Sequence, residues 1–155
     1  MAGIPQTRSP DAVPGPLPQT HLADTTVWSK VRPRPLLADW FNEEVRSGRI
    51  ATCDIVVLEL LRSARNSQAF VSQSRLLALL PGCPIAAAEW ARGHEVQQLL
   101  AAQGQHRGIP PADLLIAAAA ESAQVPLLHY DHDFDLIAEV TGQPVRWLLP
   151  AGTLP

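Results

Sequence analysis

Lysine and cysteine are scarce in this 155-residue chain, and each scarcity removes a class of function. Lys30 is the single lysine beside eleven arginines, so no lysine chemistry is available downstream of it; the arginine excess is also what a GC-rich genome produces. With a net charge of -3 there is no global basic field to draw in nucleic acid, and a nucleic-acid role needs a local patch or a metal. Cys53 and Cys83 have no C-x-x-C spacing, which excludes a zinc framework and fits two core thiols in a reducing, cytoplasmic compartment. No apolar run reaches membrane length, because Asp113 and Glu121 bracket the longest. Residues 1–19 hold Pro5, Pro10, Pro14, Pro16 and Pro18 but no apolar core of a signal peptide, and predict a flexible Pro-rich tail ahead of one domain over 20–155. Nucleophile-elbow, P-loop and dinucleotide glycine patterns are missing, and His94-Glu95 lacks the second histidine of a zinc protease at Gln98.

What the chain does have is carboxylates where apolar segments should carry none. Asp24 ends the run His21-Leu22-Ala23, Glu59 sits inside Ile55-Val56-Val57-Leu58-Glu59-Leu60-Leu61, Asp113 opens an almost wholly apolar helix after Pro110-Pro111, and Asp131 and Asp133 follow Leu127-Leu128-His129-Tyr130. A carboxylate against apolar side chains is strongly disfavoured unless a cation, a donor or a raised pKa compensates it. Several at once suggest a shared cation.

The pattern along the chain predicts a strand with Asp24 at its tip, a turn through Arg32-Pro33-Arg34-Pro35, and a helix from Leu36 closed by Gly48. A short strand at Ile50–Cys53 then leads into the helix carrying Glu59. Helices over about 68–80 and 86–102, a loop at 104–110, the Asp113 helix, a strand at 126–130, a short helix near Phe134 and a last strand at 145–148 complete the order. Strands separated by helices predict a mainly parallel sheet covered on both faces, whose functional crevice lies beyond the carboxyl ends of the strands. Asp24 and Asp131 both fall at such ends.

Taken singly, each acid has an ordinary explanation. Asp24 can cap a helix, Glu59 can pair with Arg62 or Arg65, and Asp113 can complement a helix dipole. Asp131-His132-Asp133-Phe134-Asp135 fails as a calcium loop, with Leu136 in place of the required glycine and Gly142 in place of the closing glutamate. It fails as the D-x-D nucleophile of a phosphatase for want of a later lysine.

Four segments in order resemble the PIN-domain ribonucleases, and within them the VapC toxins of type II toxin–antitoxin pairs: Leu22-Ala23-Asp24-Thr25-Thr26-Val27-Trp28, Glu59-Leu60-Leu61, His106 through Ala118, and Leu128-His129-Tyr130-Asp131-His132-Asp133-Phe134. The resemblance implies a PIN-like α/β/α sandwich and a metal-dependent endoribonuclease that uses Mg²⁺ or Mn²⁺ to hydrolyse RNA phosphodiesters. It assigns Asp24, Glu59, Asp113 and Asp131 to catalysis and metal binding, and Asp133 as a fifth carboxylate. Thr25 and Thr26 are expected to hydrogen-bond a carboxylate or the metal water beside the substrate, and Arg107 to meet RNA phosphate. Implied partners are RNA, a cognate VapB-type antitoxin and a second copy in a homodimer. The antitoxin is expected in a groove between the helix bearing Leu36, Leu37, Trp40 and Phe41 and the helix bearing Glu59. Asp135 is expected to face solvent. The alternative is a catalytically silent module on the same fold that acts only through a protein partner.

Overall fold

The computed structural model describes residues 11–155, and its organising element is a sheet of four short strands, all parallel, in the order β2-β1-β3-β4. These are β1 (His21–Ala23), β2 (Ile50–Ala51), β3 (Leu127–His129) and β4 (Val145–Trp147). Their register sets Leu22 beside Leu127 and Ala23 beside Leu128. Because successive side chains leave opposite faces of a strand, Leu22 and Leu127 join one apolar cluster while Ala23 and Leu128 join the other.

Helices cover both faces. Helices α1 (Thr25–Val31) and α2 (Pro35–Arg46) pack with Ala23, Ile50 and Leu128 through Val27, Val31, Leu37 and Phe41. On the opposite face lie α3 (Asp54–Arg62), α4 (Ser67–Leu77), α5 (Ala87–Ala102), α6 (Pro111–Ser122) and α7 (Asp133–Thr141). The result is the three-layer arrangement expected from the alternation of strands and helices.

The local signals explain most boundaries. Pro35 and Pro111 occupy first-turn positions of α2 and α6, where a missing N–H costs nothing. Gly48 follows α2, and Gly142 ends α7 in the left-handed conformation that glycine adopts without a Cβ clash. Helix α6 is buried on every side from Leu114 to Ala120. That total burial explains why its apolar run shows no polar face.

Two stretches carry structure beyond the expected order. The residues between Asp24 and the turn at Arg32, to which no element was assigned, form α1, with Asp24 in the capping role weighed for it. The Asp24 carboxylate accepts the Thr26 N–H at 2.9 Å and starts a helix through residues whose β-branching favours strands. Within the loop 104–110, His106–Gly108 form a 3₁₀ turn. Part of the Pro-rich segment, 1–10, lies outside the described residues. Of the remainder, Leu17 is buried in the α1–α2 cluster and Gly15 accepts the Trp40 indole N–H at 3.2 Å, so this stretch packs on the domain.

Ile116 is fully buried in the middle of α6 and belongs to the larger core cluster. Ile116→Ala is expected to lower unfolding stability by about 3 kcal/mol, the range for deleting a large buried aliphatic side chain. Urea denaturation followed by circular dichroism measures it, and a loss below about 1 kcal/mol means this helix is not packed as described.

Candidate metal centre

Parallel strands deliver the acids to one end of the sheet. Asp24 directly follows β1, Asp131 lies two residues beyond β3, Asp133 is the first residue of α7, and Asp113 is in the first turn of α6. Asp113, Asp131 and Asp133 each offer an oxygen, and these three atoms lie within 4.8 Å of one another. Asp133 therefore joins this group, and the capping position of α7 belongs to His132.

Asp24 and Glu59 flank the trio, and both bear on Asp113 electrostatically. Asp24 is buried, and one of its oxygens accepts both the backbone N–H and the hydroxyl of Thr26, at 2.9 and 2.6 Å. The Thr26 oxygen in turn accepts the Tyr130 N–H at 3.0 Å, tying the tips of β1 and β3 together. The Thr25 hydroxyl donates to Glu59. Both threonine hydroxyls thus hold carboxylates, as one of their expected roles required.

Among the described residues neither Arg62 nor Arg65 pairs with Glu59, and no basic side chain forms an ion pair with any of the five acids. The consequence is visible in their proton affinities. Burial, followed by the charges of Asp24, Asp131, Asp133 and Glu59, pushes Asp113 up from 3.8 to about 7. Burial raises Asp24 despite its hydrogen bonds from Thr26, and burial and Asp131 raise Asp133. A site of oxygen donors with uncompensated negative charge, and no thiol or imidazole among the clustered ligand atoms, fits a hard divalent cation.

Arg107 is exposed on the 3₁₀ turn that leads into α6. Of the four α2 residues expected along the groove, Leu37 and Phe41 are core, Trp40 donates its indole N–H to Gly15, and Leu36 is exposed. The opening next to the acids lies instead between α1 and α3, lined by Thr25, Trp28, Arg32, Glu59 and Ser63.

Sequence reasoning missed the surroundings of Asp131. Asp135 does not face solvent freely; its two oxygens both accept the Trp147 indole N–H at 3.1 Å, beside the buried ring of His129. An imidazole at the end of an otherwise apolar strand was the available signal.

The PIN domain family model matches residues 22–140, a span that includes all five acids. The chain is a PIN-domain protein of the VapC family. It is 40% identical over 134 residues to Ribonuclease VapC51 of Mycobacterium tuberculosis, covering 86% of this chain and 96% of that protein. It is 38% identical over 133 residues to Ribonuclease VapC18 of the same organism, covering 84% and 96%. The PIN fold is seen again in the DNA-bound VapBC of Salmonella typhimurium, with a TM-score of 0.65 at 17% identity over 84% of this chain and 99% of that one.

In this PIN domain the elevated Asp113 has a direct consequence for stability. The folded state holds the Asp113 proton up to about pH 7, whereas the unfolded chain releases it near 3.8. Stability from this group is complete below the lower value and is lost as pH rises toward the upper one. In chelator, Asp113→Asn should therefore gain thermal stability over the native protein as pH rises from about 4 to about 7, with little further gain above. Parallel melting-temperature curves across that range refute the shifted carboxyl.

Proposed function

We propose that this protein is a VapC-type toxin, an endoribonuclease that hydrolyses RNA phosphodiesters with Mg²⁺ or Mn²⁺ held by its carboxylates. The observation that carries the reading is the group of Asp113, Asp131 and Asp133 with ligand oxygens within 4.8 Å, flanked by Asp24 and Glu59, in a chain 40% identical to a named VapC ribonuclease. The complete set of acids argues against a silent binding module.

In this reading Asp113, Asp131 and Asp133 hold the cation, with Asp24 and Glu59 completing the acidic wall. When bound, a divalent cation supplies Lewis acidity toward the phosphate and lowers the pKa of a coordinated water. The protein's own contribution is placement. Thr26 fixes Asp24, Thr25 fixes Glu59, and the Asp133 N–H fixes Asp131 through a 3.0 Å bond to its Oδ1. Carboxylates held in advance do not need to reorganise when substrate arrives. Asp113, poised near neutrality, is the carboxyl of this set that would hold a proton without a cation and give it up to one. Arg107 is assigned to an RNA phosphate approaching past α6, since its guanidinium is exposed beside the Asp113 helix.

The partner is a VapB-type antitoxin that enters the opening between α1 and α3, where a basic side chain meets Glu59 and the acids behind it. VapBC complexes are among the assemblies in which this fold recurs. A homodimer is proposed on the family resemblance. The catalytic unit spans 20–155, with the Pro-rich segment as an extension of it. No helix among the described residues is long and apolar enough to cross a membrane, and a cytoplasmic site of action is proposed.

Purified protein should cleave RNA with Mg²⁺ or Mn²⁺ and stop in EDTA. Asp24→Asn and Asp113→Asn should reduce cleavage to background while keeping the native circular dichroism spectrum. Cleavage that continues undiminished in chelator overturns the metal mechanism.

A further inference from the structure

Beyond the carboxylates themselves, one buried polar group near them has no assigned task. His129, the last residue of β3, is fully buried, with its ring 5.4 Å from that of Phe134 and 5.0 Å from that of Trp147. Such a place suits an apolar side chain, and an imidazole there must satisfy its nitrogens or cost stability. Its Nδ1 lies 3.2 Å from the Asp131 backbone nitrogen and accepts that N–H. A ring nitrogen that accepts carries no proton, so the ring proton is on Nε2. That Nε2 is buried without a hydrogen-bond partner, and the nearest carboxylate oxygen, Oδ1 of Asp135, is 3.8 Å away. Asp135 is itself anchored by the Trp147 indole N–H.

These contacts fix the ring from both sides. The opposite tautomer sets an Nδ1–H against the Asp131 N–H at 3.2 Å and turns a lone pair toward the Asp135 carboxylate. Both changes are repulsive. The observed tautomer places a lone pair toward the donor and a proton toward the anion.

We propose that His129 is a positioning residue for the metal centre: its Nδ1 clamps the Asp131 backbone, with Asp135 and Trp147 holding the ring in the required tautomer. The inference rests on the reading of Asp131 as a metal ligand. Chain leaving β3 has no sheet partner to set its direction at Asp131, and the imidazole supplies one. With its backbone held by His129 and its Oδ1 holding the Asp133 N–H at 3.0 Å, Asp131 meets Asp113 and Asp133 in one orientation. This is the support that metal ligands draw from their outer partners, whose loss costs about 10- to 100-fold in metal affinity.

Two substitutions separate this role from simple packing. His129→Asn places an amide oxygen near the position of Nδ1 and keeps an acceptor for the Asp131 N–H. His129→Gln reaches toward the position of Nε2 and leaves the Nδ1 position without an acceptor. Mn²⁺ titration by calorimetry of the full chain should find His129→Asn close to the native affinity and His129→Gln weaker by about 10-fold or more. Equal affinities for the two variants overturn the proposal. Asp131→Ala, titrated alongside, tests the reading beneath it: native affinity there removes Asp131 from the ligand set. A loss with Asp131→Ala but none with His129→Gln removes His129 alone. Should either histidine variant fail to fold, ¹⁵N-labelled native protein without metal decides the matter. A through-hydrogen-bond nitrogen–nitrogen coupling between the Asp131 amide and His129 Nδ1 is expected, and its absence overturns the clamp.

Discussion

Repulsion among like charges is the constraint around which this protein is arranged. Two carboxylates about 5 Å apart repel by roughly 3 kcal/mol at the effective dielectric of a protein interior. Asp113 meets four acidic neighbours and is itself partly buried. Burial first, and then the repulsion of these neighbours, hold its proton near neutrality, at a pKa of about 7. The acids find no relief from arginine or lysine among the described residues. Their stabilising contacts are hydroxyls and backbone N–H groups, which orient a carboxylate without neutralising it. Orientation without neutralisation is what a cation-binding site needs, because a paired arginine would compete with the ion.

Holding such a cluster requires a scaffold that resists being pushed apart, and the parallel sheet provides it. Strands β1 and β3 are adjacent and in register, so the residues leaving their carboxyl ends start from fixed positions. Thr26 joins the two exits, donating its hydroxyl to Asp24 and accepting from Tyr130. Helix α6 presses Asp113 in from the opposite face, and its burial on all sides leaves it no room to retreat. The dense packing of small residues from Ala117 to Ala120 thus contributes to the chemistry at the helix's other end.

Much of this was legible in the chain alone. The β-α alternation predicted the parallel sheet, Gly48 marked the end of α2, and apolar context singled out five acids, of which Asp113, Asp131 and Asp133 bring oxygens within 4.8 Å of one another while Asp24 and Glu59 act on Asp113 electrostatically. What was not legible has physical causes. Thr25-Thr26-Val27 favours a strand by propensity, and the Asp24 cap, weighed only as one role of that acid, together with the packing of Val27 and Val31 accompanies α1 there. Leu37 and Phe41 cannot be told from a docking face by periodicity, because core and interface use the same side chains. Asp135 reads as solvent-facing until β4 brings Trp147 twelve residues back onto it. Contacts between strand ends and distant aromatic rings are set by tertiary packing, and a linear pattern does not encode them.

The two thiols carry a consequence of a practical kind. Cys53 and Cys83 are both buried, and burial pushes the Cys53 thiol up to about 11 and the Cys83 thiol upward as well. Nucleophilic attack by sulfur requires the thiolate, so at neutral pH both are slow toward maleimides and peroxide. A single cysteine introduced on an exposed helix would therefore take a fluorophore or spin label selectively in the otherwise native chain. Distance changes on antitoxin or RNA binding could then be followed without removing either native sulfur from the core.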